Sequence, residues 1–130
     1  MANDVKEIGE IVWVDYTVPD ASKVRDFYLS VVGWKVSEFS MGDYSDYVVK
    51  TPESEQTIAG ICHARGSNAS LPANWMVYIK VANLNESLDA ARRNGGQVLT
   101  EPKEFGGARF CVIKDPAGAA FAIIEGEAGG

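Results

Sequence analysis

The chain has 130 residues, 46% of them apolar and 10% aromatic, with twelve Lys and Arg against eighteen Asp and Glu for a formal net charge of −6. That size closes one hydrophobic core, no stretch reaches the roughly 18 apolar residues of a membrane span, and no basic stripe gathers for a phosphate backbone. Membrane and nucleic acid are excluded as partners, and the opening Met1-Ala2-Asn3-Asp4-Val5-Lys6-Glu7, with neither the basic nor the apolar region of a signal peptide, points to the cytoplasm.

The run from Ile11 to Val18 is rich in β-branched and aromatic residues and stops at Pro19-Asp20, which predicts a strand ending in a turn. Asp20 suits a helix N-cap. Val24, Phe27, Tyr28 and Val31 then recur at helical spacing as one apolar stripe, and Gly33 supplies a left-handed stop, so the helix is expected over residues 21–32. Strands are predicted at 34–39, 44–50 and 57–62, with Met41-Gly42-Asp43 as a turn. Arg65-Gly66-Ser67-Asn68-Ala69-Ser70-Leu71-Pro72 reads as a surface connection.

The same order then returns. A strand is expected over 75–81, a cap at Asn83 or Asn85, and a helix with Leu84, Leu88 and Ala91 on one face, ended by Gly95-Gly96. Strands follow at 97–100, 108–114 and 119–125, punctuated by Pro102, Gly106-Gly107 and Asp115-Pro116-Ala117-Gly118. Val18 and Val81 end the two first strands, Gly33 and Gly96 the two helices, and both pairs lie 63 residues apart. The expected organisation is a single α+β domain, 1–130. It contains two tandem βαβββ units (8–63 and 75–126), a connection at 64–74 and a frayed tail at 127–130.

A sheet with a helix on one face needs cover on the other, and two such units facing each other supply it as a concave mixed sheet with helices outside. In the first strand, alternation gives Val12, Val14, Tyr16 and Val18 to the helix side and Trp13, Asp15 and Thr17 to the concavity. A shift of 63 residues gives Met76, Tyr78 and Lys80 as counterparts in the second unit. An indole, a phenol, a thioether and a carboxylate suit an apolar or aromatic small molecule held by a few polar contacts.

Outside that set, Arg109, just after Gly106-Gly107, either meets an anionic ligand group or is surface charge. Glu125 reads as a solvated strand end. Cys62 and Cys111, in apolar strand patterns without metal spacing, read as buried reduced thiols. His63, the single histidine, reads as a solvated loop residue and is the one imidazole available to a metal or to general-base chemistry.

Tyr16-Thr17-Val18-Pro19-Asp20, the stretch Asp26-Phe27-Tyr28-Leu29-Ser30-Val31-Val32-Gly33-Trp34, and Lys114-Asp115-Pro116-Ala117-Gly118 together resemble the vicinal oxygen chelate superfamily. That superfamily includes glyoxalase I, bleomycin resistance proteins and extradiol dioxygenases, and the resemblance implies its paired βαβββ fold. It also implies metal ligands at the positions of Trp13, Met76 and Ala122, with a fourth within Thr57–His63. Indole and methyl groups do not bind a divalent metal, and a lone thioether is a soft ligand.

The expectation is therefore a glyoxalase- or bleomycin-resistance-like protein without metal cofactor. Its small-molecule site would be lined by Trp13, Asp15, Met76, Tyr78, Arg109 and Ala122. The alternatives are a metal-dependent lyase or isomerase with an unorthodox ligand set, such as His63, Asp15 and a residue of a second chain, and a non-catalytic interaction subunit. The resemblance also implies a homodimer.

Overall fold

Strand β1 (Ile11–Val18) leads through Asp20 into helix α1 (Ala21–Val31), and β2 (Lys35–Ser40), β3 (Ser45–Lys50) and β4 (Thr57–His63) follow. Then come β5 (Trp75–Lys80), α2 (Leu84–Arg93), β6 (Gln97–Val98), β7 (Lys103–Phe105), β8 (Ala108–Lys114) and β9 (Ala120–Glu125). The structure is a computed structural model that describes residues 6–66 and 69–126. The expected tail, 127–130, lies outside the described residues. The fold is α+β with mixed strand pairing and two βαβββ repeats. Among the described residues no helix is long and apolar enough to cross a membrane.

Two compact units divide the chain. One is Val14–Trp75; the other joins Met1–Trp13 to Met76–Gly130. The second unit is discontinuous because the segment before β1 bonds to the end of β5: Gly9 N–H donates to the Lys80 carbonyl at 2.8 Å, and Lys80 N–H to the Glu10 carbonyl at 3.0 Å.

Within Val14–Trp75 the strands lie in the order β2, β3, β4, β1, the last pair parallel and the others antiparallel. Asp20 accepts the Lys23 N–H and so caps α1, a bond of a type that contributes about 0.5–2 kcal/mol. Gly33 follows the helix at φ +82, a conformation a side chain would strain. Val18, Ala21, Tyr47, Val49, Ala59 and Ile61 form the core, joined by Val14, Tyr16, Val24 and Tyr28. The predicted alternation of β1 therefore holds from Val14 to Val18.

The helix stripe is only half used. Val24 and Tyr28 pack inward, whereas Phe27 and Val31 are 57% and 64% exposed. Helical spacing defines an apolar stripe but not its width, and the sheet takes only the inner rows. Tyr28 anchors a cluster of aromatics: it stacks on Trp34 at 5.4 Å and meets Tyr16 and Trp75 edge-on. Its hydroxyl accepts the Trp75 indole N–H at 3.0 Å.

In the other unit the order is β5, β9, β8, β6, with β7 also on β8 and with β5 and β9 parallel. Leu84, Leu88, Cys111, Ile113 and Ile123 form its core. Each fully buried Leu or Ile contributes roughly 1.5–3 kcal/mol. Asn83 caps α2, Glu86 sits in the first turn, and Arg92 and Arg93 in the last, each sign opposing the helix dipole.

Two expectations change here. The left-handed residue after α2 is Gly95, at φ +88, rather than Gly96. The short strand β7 was not foreseen, because Pro102 and the Gly106-Gly107 turn mask a three-residue pairing.

Candidate functional site

On the face of β1 to β4 turned away from α1, register sets two rows of side chains. Asp15 pairs with Gly60 and Gly60 in turn with Val48; Thr17 pairs with Cys62, and Asp46 of β3 with Phe39 of β2. Gly60 leaves the middle of the first row without a side chain. Asp15, Asp46 and the Cys62 thiol thus lie close together, Thr17 among them is buried, and Phe39, 45% exposed, stands at the β2 edge.

The Cys62 Sγ lies 3.7 Å from Asp15 Oδ2. Burial, then the charges of Asp15 and Asp46, push this thiol far above the ordinary cysteine range, so it is protonated at neutral pH. It is a weak hydrogen-bond donor between two carboxylates, not a nucleophile.

Asp46 was missed in the sequence reading, yet its signal matched that of Asp15: a carboxylate within a strand of β-branched and aromatic residues.

His63 ends β4 and is not a solvated loop residue, its side chain being 15% exposed. Its backbone N–H donates to Asp46 Oδ1 at 2.8 Å, and its Nδ1 stands 3.5 Å from the same oxygen. The ring lies edge-on to Tyr44 at 5.5 Å and tilted to Tyr47 at 6.0 Å. Sequence places His63 before a Gly- and Ser-rich stretch; the two tyrosines that enclose it come from β3 and the turn before it.

The remaining residues singled out in the sequence fall in the other unit. Tyr78 and Ala122 are register partners, Ala122 pairs with Val112, and Met76 shares their face by alternation. Met76, Ala122 and Val112 are 1%, 0% and 2% exposed, and Tyr78 packs on Phe110 at 5.6 Å. Lys103, opposite Phe110 on β7, has its ammonium lowered in pKa by burial. By alternation along β1, Trp13 falls on the Asp15 side of its strand.

Arg109 is not brought to the Met76 face. It shares the α2 side of β8 with Cys111 and Ile113, and its guanidinium lies 3.7 Å from Glu125. Glu125, expected as a solvated strand end, accepts the Leu84 N–H at the start of α2. Cys62 and Cys111 are both free thiols, and Cys111 donates to the Thr100 carbonyl at 2.9 Å.

The donor set can be tested against the divalent metal that the resemblance implies. Trp13, Met76 and Ala122 stand where it puts three ligands, and their indole, thioether and methyl groups do not suit a hard or borderline cation. Among the described residues no three His, Cys, Asp or Glu side chains converge on one point. These residues do not fit the metal.

The sequence profile of the Glyoxalase/Bleomycin resistance protein/Dioxygenase superfamily matches residues 10–123. "Putative glyoxylase CFP32" of Mycobacterium tuberculosis (strain CDC 1551 / Oshkosh) is 31% identical over 123 residues, covering 93% of this chain and 46% of that protein. "Anthracycline biosynthesis protein DnrV" of Streptomyces peucetius is 27% identical over 127 residues, covering 88% of this chain and 46% of that protein. The chain thus spans less than half the length of these relatives.

Among solved structures, a methylmalonyl-CoA epimerase of Streptomyces coelicolor superposes with a TM-score of 0.55 at 14% identity, covering 94% of this chain and all of that one. The hypothetical protein BH1468 of Bacillus halodurans gives 0.58 at 13%, with coverage of 95% and 99%. These two show likeness of fold. The chain belongs to the Glyoxalase/Bleomycin resistance protein/Dioxygenase superfamily.

Proposed function

From that membership and the face of Val14–Trp75, we propose that the chain is a lyase or isomerase of the glyoxalase kind that moves a proton on a small organic molecule with the carboxylates of Asp15 and Asp46. The observation that carries the reading is the Cys62 thiol flanked by both carboxylates, 3.7 Å from Asp15. One carboxylate takes a proton from the carbon next to a carbonyl. The thiol keeps its one S–H on Asp15, and the carboxylate that took the proton returns it to the neighbouring carbon while the hydroxyl proton passes to the former carbonyl oxygen. Acid–base help of this kind contributes typically 10²–10⁴-fold. Phe39 and Val48 supply the apolar contact that holds the carbon skeleton. The relative named as a glyoxylase supports the reaction class.

The test is proton exchange in D₂O, followed by NMR, on a panel of α-hydroxycarbonyl compounds and α-branched thioesters. We expect loss of the α-proton signal in at least one member, slowed about 100-fold or more in Asp15→Asn and Asp46→Asn. No exchange in any member would overturn the reading.

A second reading is sequestration of an aromatic molecule without turnover. It is supported by the anthracycline biosynthesis relative and by Phe39 opposite Asp46. Quenching of tryptophan fluorescence by an aromatic ligand, with no exchange, would favour it.

A further inference from the structure

Nδ1 of His63 stands out among the described residues as a buried side-chain nitrogen without a hydrogen-bond partner. A buried polar atom left unsatisfied is costly, and native structures hold few of them. The groups around it are known. Asp46 Oδ1 is 3.5 Å away, and Tyr44 and Tyr47 wall the ring. Arg65 lies over the Tyr44 ring at 4.0 Å with Asp43 3.9 Å from it, and Arg25 lies over the Tyr47 ring at 4.8 Å.

We propose that His63 carries its proton on Nδ1 and is the positioning residue for Asp46, holding that carboxylate against the Cys62 thiol. This rests on the reading of Asp15, Asp46 and Cys62 as the working face. With the proton on Nε2, the Nδ1 lone pair would point at a carboxylate oxygen, and two acceptors would face each other out of reach of water. With the proton on Nδ1, a small rotation of the ring closes 3.5 Å to a charge-assisted hydrogen bond.

Asp46 Oδ1 then takes two donors from one residue, the backbone N–H at 2.8 Å and the imidazole, and the carboxylate cannot swing off the thiol. The neutral ring that results has Nε2 as its acceptor. His63 touches no substrate in this scheme; it acts through Asp46.

One histidine makes the test direct. Long-range ¹H–¹⁵N correlation on the uniformly labelled chain, followed over a pH series, reads the tautomer of the singly protonated ring without substrate. The parent should show the proton on Nδ1, and Asp46→Ala should lose that preference. A second readout is the rate of Cys62 alkylation by iodoacetamide at pH 9, with the modified peptide identified by mass. His63→Leu should react at least about threefold faster than the parent because Asp46 no longer presses on the thiol. His63→Asn, whose amide N–H can stand where Nδ1–H does, should return to within about twofold of the parent.

A proton on Nε2 in the parent, or equal acceleration in both His63 variants, would overturn the proposal. Neither readout involves turnover, so its failure is distinct from failure of the proton-transfer reading.

Discussion

The Glu125 side chain accepts the backbone N–H of Leu84, so the last strand of a repeat caps the helix that follows its first strand. Asn83 satisfies the Glu86 N–H of the same helix end, and Glu125 satisfies one more of the donors that a helix leaves unpaired. Hydrogen bonds to charged groups contribute about 1.5–3 kcal/mol. Glu125→Ala should therefore lower stability in urea melts by about 2 kcal/mol. Arg109→Ala should lower it by less than about 1 kcal/mol, because that ion pair is one-third exposed. Equal losses would place the energy in the ion pair instead.

Adjacent residues of α1 should behave oppositely. Tyr28→Ala removes the hub of the aromatic cluster and should cost about 3 kcal/mol. Tyr28→Phe, which leaves the Trp75 indole N–H without its acceptor, should cost about 1 kcal/mol. Phe27→Ala, at a residue 57% exposed, should stay within about 1 kcal/mol of the parent. Denaturant midpoints of the three variants check the order.

Stability should fall in alkali through Cys62. Its folded thiol is pushed up by burial and by Asp15 and Asp46, while the unfolded thiol titrates near the ordinary value of about 8.5. Above that pH the unfolded chain binds fewer protons than the folded one, so unfolding free energy decreases as pH rises. The limiting slope is about 1.4 kcal/mol per pH unit. Below pH 8 this contribution is fully present. Urea melts at pH 7.5 and 10 should show a drop that shrinks in Cys62→Val; an equal drop in both proteins would contradict the assignment.

Two glycines that punctuate the repeats should fail for different reasons. A Cβ on Gly96 would meet the Lys114 carbonyl at 2.8 Å and the Ala91 carbonyl at 3.0 Å, so Gly96→Ala should cost about 1–3 kcal/mol through steric displacement of backbone. Gly33 has open space around it but φ +82, so Gly33→Ala should cost roughly 1–2 kcal/mol through backbone strain alone. Gly33→Asn should recover part of that loss, since Asn tolerates the left-handed region; in Gly96→Asn no recovery is expected.

Local chemistry made most of the fold legible. Asp20 and Asn83 are caps because a short oxygen-bearing side chain reaches the third residue on, and alternation in β1 sorted Val14, Tyr16 and Val18 from Asp15 and Thr17. What escaped depends on distance in sequence. Nothing near His63 announces that Tyr44, Tyr47 and Asp46 will enclose it, and nothing near Glu125 announces Leu84. Phe27 and Val31 sit in a helical pattern indistinguishable from that of Val24 and Tyr28; only the packing of the helix on the sheet decides which are reached. Of the candidate site, Asp15 and Asp46 each carry a signal in their own strands, a carboxylate among apolar neighbours, while the place of Cys62 between them depends on strand pairing distant in sequence.

The division of the chain also has a consequence for its synthesis. Val14–Trp75 is continuous in sequence and owns both partners of every strand pair from β2 to β4 and the parallel pairing of β4 with β1. It can assemble as soon as those residues have left the ribosome. The other unit joins residues up to Trp13 with residues from Met76 onward, so its first segment must wait for the whole intervening unit and then for the end of β5 to emerge before it can pair. At about 5–20 residues per second the wait lasts several seconds. During that interval Ile8 and Ile11, both more than half exposed even in the finished fold, are the apolar residues a chaperone would meet first.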